Sequence, residues 1–556
     1  MRMNPATANK WILWTRLACV VIAATALYVV FRGVNFAAFI HALRHMQVGW
    51  FIAANSLLGA ALAIAGARWH LALRLTNAAV HQAASMRVYC IGHFLFMVLF
   101  GGVGGDVAKS AIYARWFGRP MPQVLAAAPL DRLLGFGGLV IFGAGAFGCA
   151  WLGGSFSRIP PLEVHFSRTV GWVALAVAVF FVGPLICWQP SGESAGAKTV
   201  RAIQAAGKRL LLAPRVMMFG LLYGFLVQMC LSGLLALNVQ AVIHGPLPWT
   251  KLLWTLPVIS VLGNLPITVA GLGFREGAAA ALLPWYGIPK EDALAASLLS
   301  LAALLLWAAI GGFLFWREEK LFQRSKNRPE PRTISAVIPT LNEADGLAET
   351  VTRARAVPEV NEIIVVDGGS RDATRELAAQ LGCQVWSSAP GRGGQMRLGA
   401  AHARGDVVVL LHADTWLPPD AGRAMLDCLR DGSVIGGGLW KVFRAPNLLL
   451  LGSRWRCAAH FYLSRGFFGD QAIFIRRETL QQIGGVPDLP LMEEFELCRR
   501  LRQVGRLALA DATVTTSARR FARLGVARTY VRMWWVTMLY HAGKSPHELR
   551  QIYEKD

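Results

Sequence analysis

Two carboxylates stand at the ends of short apolar runs. Asp367 closes Ile363-Ile-Val-Val-Asp367 and is followed by Gly368-Gly-Ser370, while Asp414 closes Val407-Val-Val-Leu-Leu-His-Ala-Asp414. Each run has the composition of a buried strand, so each delivers its carboxylate at a strand's C-terminal edge. In an open α/β sheet that edge is where ligands bind, in a crevice lined by backbone groups and a few aimed side chains. Asp367 is placed there to accept hydrogen bonds from a nucleotide base or ribose, and Asp414 to hold a divalent cation on a diphosphate. This is the layout of a nucleotide-sugar site.

The surrounding sequence supplies elements to hold these groups. A strand Ile334–Ile338 leads into Pro339-Thr-Leu-Asn-Glu343, and a helix beginning near Asp345 ends before Pro358. After the strand to Asp367 come an Asp372-capped helix to Leu381, a strand Gln384–Ser387, the loop Pro390-Gly-Arg-Gly-Gly-Gln395 and a helix over 395–404. Such alternation predicts a parallel sheet with helices on both faces. The glycine-rich loop reads either as a tight turn or as a phosphate cradle.

The motifs Pro339-Thr-Leu-Asn-Glu343, Val366-Asp-Gly-Gly-Ser370, Arg392-Gly-Gly-Gln-Met396, His412-Ala-Asp414, Gly469-Asp-Gln471 and Met492-Glu-Glu494, in this order, resemble the family 2 glycosyltransferases. The subgroup resembled most is the one labelled with arsenosugar biosynthesis, a label from which no substrate is taken. The resemblance implies an α/β GT-A (Rossmann-like) glycosyltransferase domain over 333–556. It implies that Pro339, Glu343, Asp367, Arg392 and Asp414 bind the nucleotide sugar and that Asp414 coordinates Mg²⁺ or Mn²⁺. Where the family commonly has an acidic pair this chain has His412 and Asp414, so Asp414 is the one firm ligand and His412 an orienting or packing residue.

An acceptor hydroxyl needs a general base opposite the leaving group. Met492-Glu-Glu494 occupies the place of the family's Glu-Asp motif, which makes Glu494 the expected catalytic base and Glu493 the fallback. Inversion at the anomeric carbon is expected. Asp470 and Gln471 border the donor or acceptor sugar, and Arg519 and Arg520 are candidates to reach the diphosphate. Further on, Tyr530-Val-Arg-Met-Trp-Trp-Val-Thr-Met-Leu-Tyr540 reads either as a helix lying on a bilayer surface or as core packing against the sheet.

The first part of the chain says where this chemistry happens. Of 556 residues 54% are apolar and 16% charged, and a mean hydropathy of +0.43 is too high for a soluble protein of this size. Residues 1–332 carry 28 Lys and Arg against 10 Asp and Glu, and the rest carries 28 against 23, so +18 of the formal +23 falls in the apolar half. That excess reads as positive-inside loops against anionic lipid rather than nucleic-acid binding, because no basic stretch interleaved with aromatics lies on a soluble module. The nine cysteines contain no C-x-x-C pair, which argues against a zinc cluster or a disulfide framework.

Apolar segments at 11–31, 47–67, 124–152, 170–188, 216–243 and 293–316 predict about six spans, the first a retained helix rather than a cleaved signal peptide. Cation clusters at 198–215 and 317–332 put both termini in the cytosol and the protein in the inner (plasma) membrane. Segments 88–105 and 251–288, broken by glycines and prolines, fit as two re-entrant hairpins lining a polar cavity. Asp106, Asp131, Arg132, Arg275 and Glu276 are the ionisable residues expected there, each with a structural ion pair as its alternative. Gly-Gly-Asp-Val-Ala-Lys (104–109), Leu-Asp-Arg-Leu-Leu-Gly (130–135) and the run 265–277 resemble the flippase-like membrane domain of the lysylphosphatidylglycerol synthase family. The expected organisation is an α-helical polytopic membrane domain over 1–320, a proline-ended charged linker at 321–332, and the catalytic domain.

The sequence thus predicts a membrane-bound enzyme moving sugar from a nucleotide-sugar donor to a lipid or lipid-linked acceptor at the cytosolic face, the membrane domain binding or translocating the product. The alternative is a polar-lipid transporter with an accessory glycosyltransferase-like domain. A nucleotidyltransferase is disfavoured, since Pro339-Thr-Leu-Asn-Glu343 lacks a glycine-rich triphosphate loop with Arg.

Overall fold

The computed structural model describes residues 34–98, 102–152, 193–243, 245–247, 273–325, 328–444, 452–464 and 466–554, with positions 25, 28, 32, 252, 255, 257–259 and 450. The chain divides into two compact units, Met1–Ala79 with Ala83–Glu319 and Val80–Gln82 with Lys320–Asp556.

The first unit is helical: α1 (Phe36–Arg44), α2 (Val48–Leu75), α3 (Gln82–Val98), α4 (Gly102–Phe117), α5 (Met121–Leu152), α6 (Ala195–Leu211), α7 (Pro214–Val242), α8 (Phe274–Leu282) and α9 (Lys290–Ser325). Among the described residues four helices, Val48–Leu75, Met121–Cys149, Pro214–Val242 and Lys290–Gln323, are long and apolar enough to cross a membrane. At about 1.5 Å per residue each exceeds the roughly 30 Å hydrocarbon core. They coincide with four of the expected segments, while 11–31 and 170–188 fall almost entirely outside the described residues. Of the expected hairpins, 88–105 corresponds to α3 and α4 on either side of 99–101, and 251–288 is described at 252, 255 and 257–259 and from 273 on, where α8, whose nine residues are too short to cross, leads into a 3₁₀ turn at Leu283–Tyr286.

In lipid the hydrophobic effect does not drive helices together, so close packing must. Glycines permit it: a Cβ on Gly138 of α5 would lie 2.3 Å from the carbonyl carbon of Gly224 on α7, and one on Gly224 would lie 2.5 Å from the carbonyl oxygen of Leu134. Helix α9 continues to Ser325, so the expected linker begins as helix and becomes extended only around Pro329 and Pro331.

The second unit contains strands β1 (Ile334–Thr340), β2 (Val360–Asp367), β3 (Gln384–Ser387), β4 (Val407–Leu410), β5 (Thr415–Trp416), β6 (Val434–Phe443), β7 (Ile473–Arg476) and β8 (Arg506–Thr516). Its helices are α10 (Ala344–Arg355), α11 (Thr374–Gln380), α12 (Arg392–His402), α13 (Ala421–Leu429), α14 (Ser453–Ser464), α15 (Arg477–Gln482), α16 (Glu493–Val504), α17 (Arg519–Leu524), α18 (Val526–His541) and α19 (Pro546–Glu554). They form one sheet of order β3-β2-β1-β4-β7-β6-β8-β5.

Alternate strand residues enter cores on opposite faces. Ala336, Ile338, Val365 and Val409 meet Leu347 and Val351 of α10, whereas Val337, Val366 and Val408 meet Met396 of α12 and Leu497 of α16. The expected helices on both faces are present, but the sheet is mixed rather than parallel. Strands β1 to β4 are parallel, whereas β7 runs antiparallel to both β4 and β6, and β5 antiparallel to β8. Helix α14 does not carry the chain back across the sheet, so β7 starts from the edge at which β6 ends. That reversal places the turn Gly469–Gln471 at the same edge as Asp367 and Asp414.

Candidate active site

Register fixes the first carboxylate. Thr340 pairs with Asp367 and Asp367 with Ser387, so three strand ends are level. Asp367 is almost fully buried and accepts from the backbone N–H of Gly369 (3.1 Å) and Ser370 (3.0 Å) and from the Ser370 hydroxyl. Its carboxylate folds the loop it leads into, with lone pairs left for another donor. That loop is tied to the one after β1: Ser370 Oγ accepts from Asn342 N–H at 2.9 Å, Asn342 Oδ1 from Arg371 N–H at 2.8 Å, and Asp372 from the N–H groups of Ala344 and Thr374. Pro339 lies within buried β1 opposite Val366, and the buried Gln395 amide donates to the carbonyls of Thr340 (2.7 Å) and Val366 (2.8 Å), clamping the two strand ends. Most of the glycine-rich loop is already helical, with α12 beginning at Arg392 rather than at 395.

Asp414 lies beyond β4 with Glu343 near it, and one cation serves both. Arg519 donates to Glu343 Oε2 at 2.8 Å and stands 3.6 Å from Asp414 Oδ2. Burial, with Glu343 and then Asp470 close by, raises the Asp414 carboxyl above its ordinary range despite Arg519. The Asp414 carbonyl accepts from Arg444 at 2.8 Å, and the Arg444 guanidinium lies 3.6 Å over the Trp416 ring. The Arg520 side chain lies outside the described residues.

A second cluster forms at the N-terminus of α16, entered through Met492 in the left-handed region (φ 64). Arg392, first residue of α12, bonds to Glu493 and lies 3.4 Å from Glu494. Burial alone would raise Glu493, but its Arg392 partner holds it below the ordinary range. Glu494 behaves oppositely: burial, and then the neighbouring Glu493 charge, push its carboxyl up to about 7.

Gly469 joins the two clusters. A Cβ there would lie 2.7 Å from His412 Nε2 and 3.5 Å from Glu494 Oε1, so the missing side chain is what lets both groups face the same spot. Burial, then the Arg392 charge, lower His412 to about 4, and the imidazole is neutral at physiological pH. Asp470 pairs with the buried Lys441 at 2.7 and 2.8 Å. Burial disfavours the ammonium, yet Asp470 holds it above its usual range. Gln471 is buried, accepting from Phe468 N–H and donating to the Leu439 carbonyl, each at 3.0 Å, and so holds the turn against β6. The sequence reading missed Lys441 and Arg444, and held Gly469 only as the first residue of a motif. A lysine on an inward position of the apolar run Gly438-Leu-Trp-Lys-Val-Phe443 was the available signal.

The first unit sorts its five expected ionisable residues into two places. Arg68 donates to both oxygens of Asp131 (2.7 and 3.3 Å), while Asp106 pairs with Arg132 at 2.6 Å and Lys109 at 3.1 Å. Lys109 is buried, 4.6 Å from both the Trp69 and Tyr89 rings. Glu276 is separate and fully buried: Oε2 accepts from Gly273 N–H (2.7 Å) at the start of α8, and Oε1 from Arg275 (2.7 Å) and Ser297 (3.2 Å).

Residues 16–312, more than half of the chain, match the model of the lysylphosphatidylglycerol synthase TM region. The chain belongs to that family. Residues 335–483 match glycosyl transferase family 2, so this family member carries a family 2 glycosyltransferase domain, within its α/β unit, after its helical membrane part. The chain is 36% identical over 107 residues to glycosyltransferase AglJ of Haloferax volcanii, an alignment covering 19% of this chain and 35% of that protein. It is 34% identical over 113 residues to the dolichol-phosphate mannosyltransferase of Pyrococcus furiosus, covering 19% of this chain and 32% of that protein. The chain thus spans about a third of the length of these curated relatives. The mannosyltransferase PcManGT from Pyrobaculum calidifontis, solved with GDP-Man and Mn²⁺, aligns at 18% identity and a TM-score of 0.30, covering 43% of this chain and 74% of that one.

Proposed function

We propose that this family member is an inverting glycosyltransferase that moves a sugar from a nucleotide-sugar donor to a lipid or lipid-linked acceptor, with Glu494 as general base. The observation carrying this is the Glu494 carboxyl, lifted to about 7 beside Gly469 and His412. A base that must take a hydroxyl proton near neutral pH works best with a pKa in that range, and an adjacent carboxylate in a dry site is how such a value arises. Glu493, held ionised by Arg392, serves to sustain that shift and positions Arg392.

Asp367, Glu343 and the Pro339 strand end take the nucleoside, while Arg519, with Arg520 next to it in the chain, faces the diphosphate. Asp470, anchored on Lys441, borders a sugar, and Gln471 fixes that turn. Asp414 suits Mg²⁺ or Mn²⁺: it is a partly open oxygen donor crowded by Glu343 and Asp470. Among the described residues no three His, Cys, Asp or Glu side chains group as a metal site, so diphosphate and water would complete the shell. The ion, when bound, neutralises charge on the departing diphosphate. Attack from the side opposite the leaving group inverts the anomeric centre.

The lipid acceptor draws support from the membrane part and from relatives named for polyprenol-phosphate substrates, such as the dolichol-phosphate mannosyltransferase and an undecaprenyl-phosphate sugar transferase of Pseudomonas fluorescens. Cation clusters at 198–215 and 317–332 support a plasma-membrane protein with its catalytic domain, 333–556, in the cytosol. Asp106 and Arg132, with Lys109, are the polar groups that would meet a lipid headgroup in the membrane part, in binding or translocating the product, while the Arg68–Asp131 pair would hold the helices that carry them. Arg275 and Glu276 would instead secure the start of α8.

The test is transfer in native membranes. With radiolabelled nucleotide sugars and Mg²⁺ or Mn²⁺, label enters extractable lipid from one donor, and Asp414→Asn lowers it roughly a hundredfold or more at matched protein level. Full transfer by Asp414→Asn would remove that site. Lipid redistribution between leaflets that needs no transfer activity would favour the transporter reading.

A further inference from the structure

Helices α14 and α18 of the catalytic unit are linked where Arg456 donates to the Tyr530 hydroxyl at 2.6 Å with its guanidinium 4.5 Å over the same ring. Helix α18 buries Thr529 and Val536 and turns Val531, Trp534, Trp535 and Met538 outward, at the spacing of one helical face; Trp534 is 60% exposed and Trp535 50%. Helix α14 turns out Trp455, 81% exposed, between Arg454 and Arg456. The two helices hold four arginines and no Asp or Glu. Three outward tryptophans on helices that also expose Arg454, Arg456 and Arg528 are costly against water but suit the headgroup layer, where an amphipathic ring rests at the interface and cations meet lipid phosphate.

This surface runs into the catalytic edge. His460 of α14 stacks on Phe468 at 4.2 Å and lies 5.5 Å from Phe495, the chain neighbours of Gly469 and Glu494. Ser453 donates to the Lys441 carbonyl at 3.2 Å.

We infer that α14 and α18 form a docking face for an anionic bilayer surface, seating the catalytic unit in the headgroup layer so that a membrane-resident acceptor reaches Glu494 without leaving the lipid. The inference rests on the lipid-acceptor reading for its purpose. The bilayer is the favoured occupant because the face lacks any acidic residue to complement a basic partner, carries interfacial aromatics, and belongs to a chain that already has membrane-spanning helices.

The experiment uses the full chain in nanodiscs of phosphatidylethanolamine and phosphatidylglycerol, with p-benzoylphenylalanine replacing Trp455, Trp535 or, as a control, Trp386 on edge strand β3. Illumination should give phospholipid adducts by mass spectrometry at 455 and 535 and at least several-fold fewer at 386. Peptide adducts alone at 455 and 535, no adduct there, or equal labelling at all three sites would overturn the docking face. Because labelling requires no turnover, the two readings separate. Adducts without lipid glycosylation from any nucleotide sugar would sink the acceptor assignment and leave the face, whereas glycosylation without adducts would do the reverse.

Discussion

The two units treat charge in opposite ways. In the helical unit, Arg68 and Asp131 are matched oxygen to nitrogen, and Glu276 has both oxygens occupied by Arg275, Ser297 and a helix-start N–H. In the catalytic unit, apart from the matched Asp470–Lys441 pair, carboxylates crowd a shared cation: Glu343 and Asp414 meet Arg519, and Glu493 and Glu494 share Arg392. A matched pair in a dry site holds structure in place, because removing one partner strands the other. A carboxylate denied a partner is pushed toward its protonated form, which makes it able to accept a proton at neutral pH or to welcome a cation.

The sharpest break of that contrast comes at Glu494. Glu494→Gln keeps shape and burial but cannot take a proton, so kcat should fall about 10²- to 10⁴-fold with little change in the donor's KM or in thermal melting. A loss below roughly tenfold would pass the role of base to another group, Glu493 first.

Which parts of this were legible follows the range of the signal. Asp367 and Asp414 could be placed at strand ends because β-branched runs of fixed period dictate local strands, and the motif order supplied the α16 glutamates. The reversal of β7 was not legible. It depends on where α14 packs, and a helix that crosses the sheet and one that stays at its edge have the same periodicity. Lys441 was lost for the same reason, since its partner Asp470 is 29 residues away and comes near only through that reversal. In the membrane part, Asp106 and Arg132 could be named from sequence but their pairing could not. Arg68, the partner of Asp131, stands just past the expected span 47–67, although α2 continues past it to Leu75.

A second prediction tests the matched side. Arg68→Met leaves Asp131 buried without its cation and should cost about 3–5 kcal/mol of stability, read as a large fall in the melting temperature of the full chain in detergent. Arg68→Met combined with Asp131→Leu should recover most of that loss. If the single variant melts like the parent, the pair is not structural and the distinction between the units fails on that side.

The smallest effect sharpens the contrast most. Glu494 carries a pKa raised above its unfolded value, so below pH 7 it is increasingly protonated in the folded enzyme and cannot act as base. The rate should therefore drop about tenfold per pH unit below an acid limb near 7 and level off above it. Burial and the Glu493 charge are the causes of that position. Glu493→Gln removes the second while leaving the first, and frees Arg392 to favour ionised Glu494. The acid limb should move to lower pH, yet stay above the ordinary carboxylate range. At pH 8 the variant would then differ from the parent only through the loosened Arg392, a few-fold at most, while at pH 6 its relative rate should rise. An acid limb that stays in place, or moves upward, would mean that the titrating group is not Glu494 and that the crowding of carboxylates at α16 serves binding rather than proton transfer.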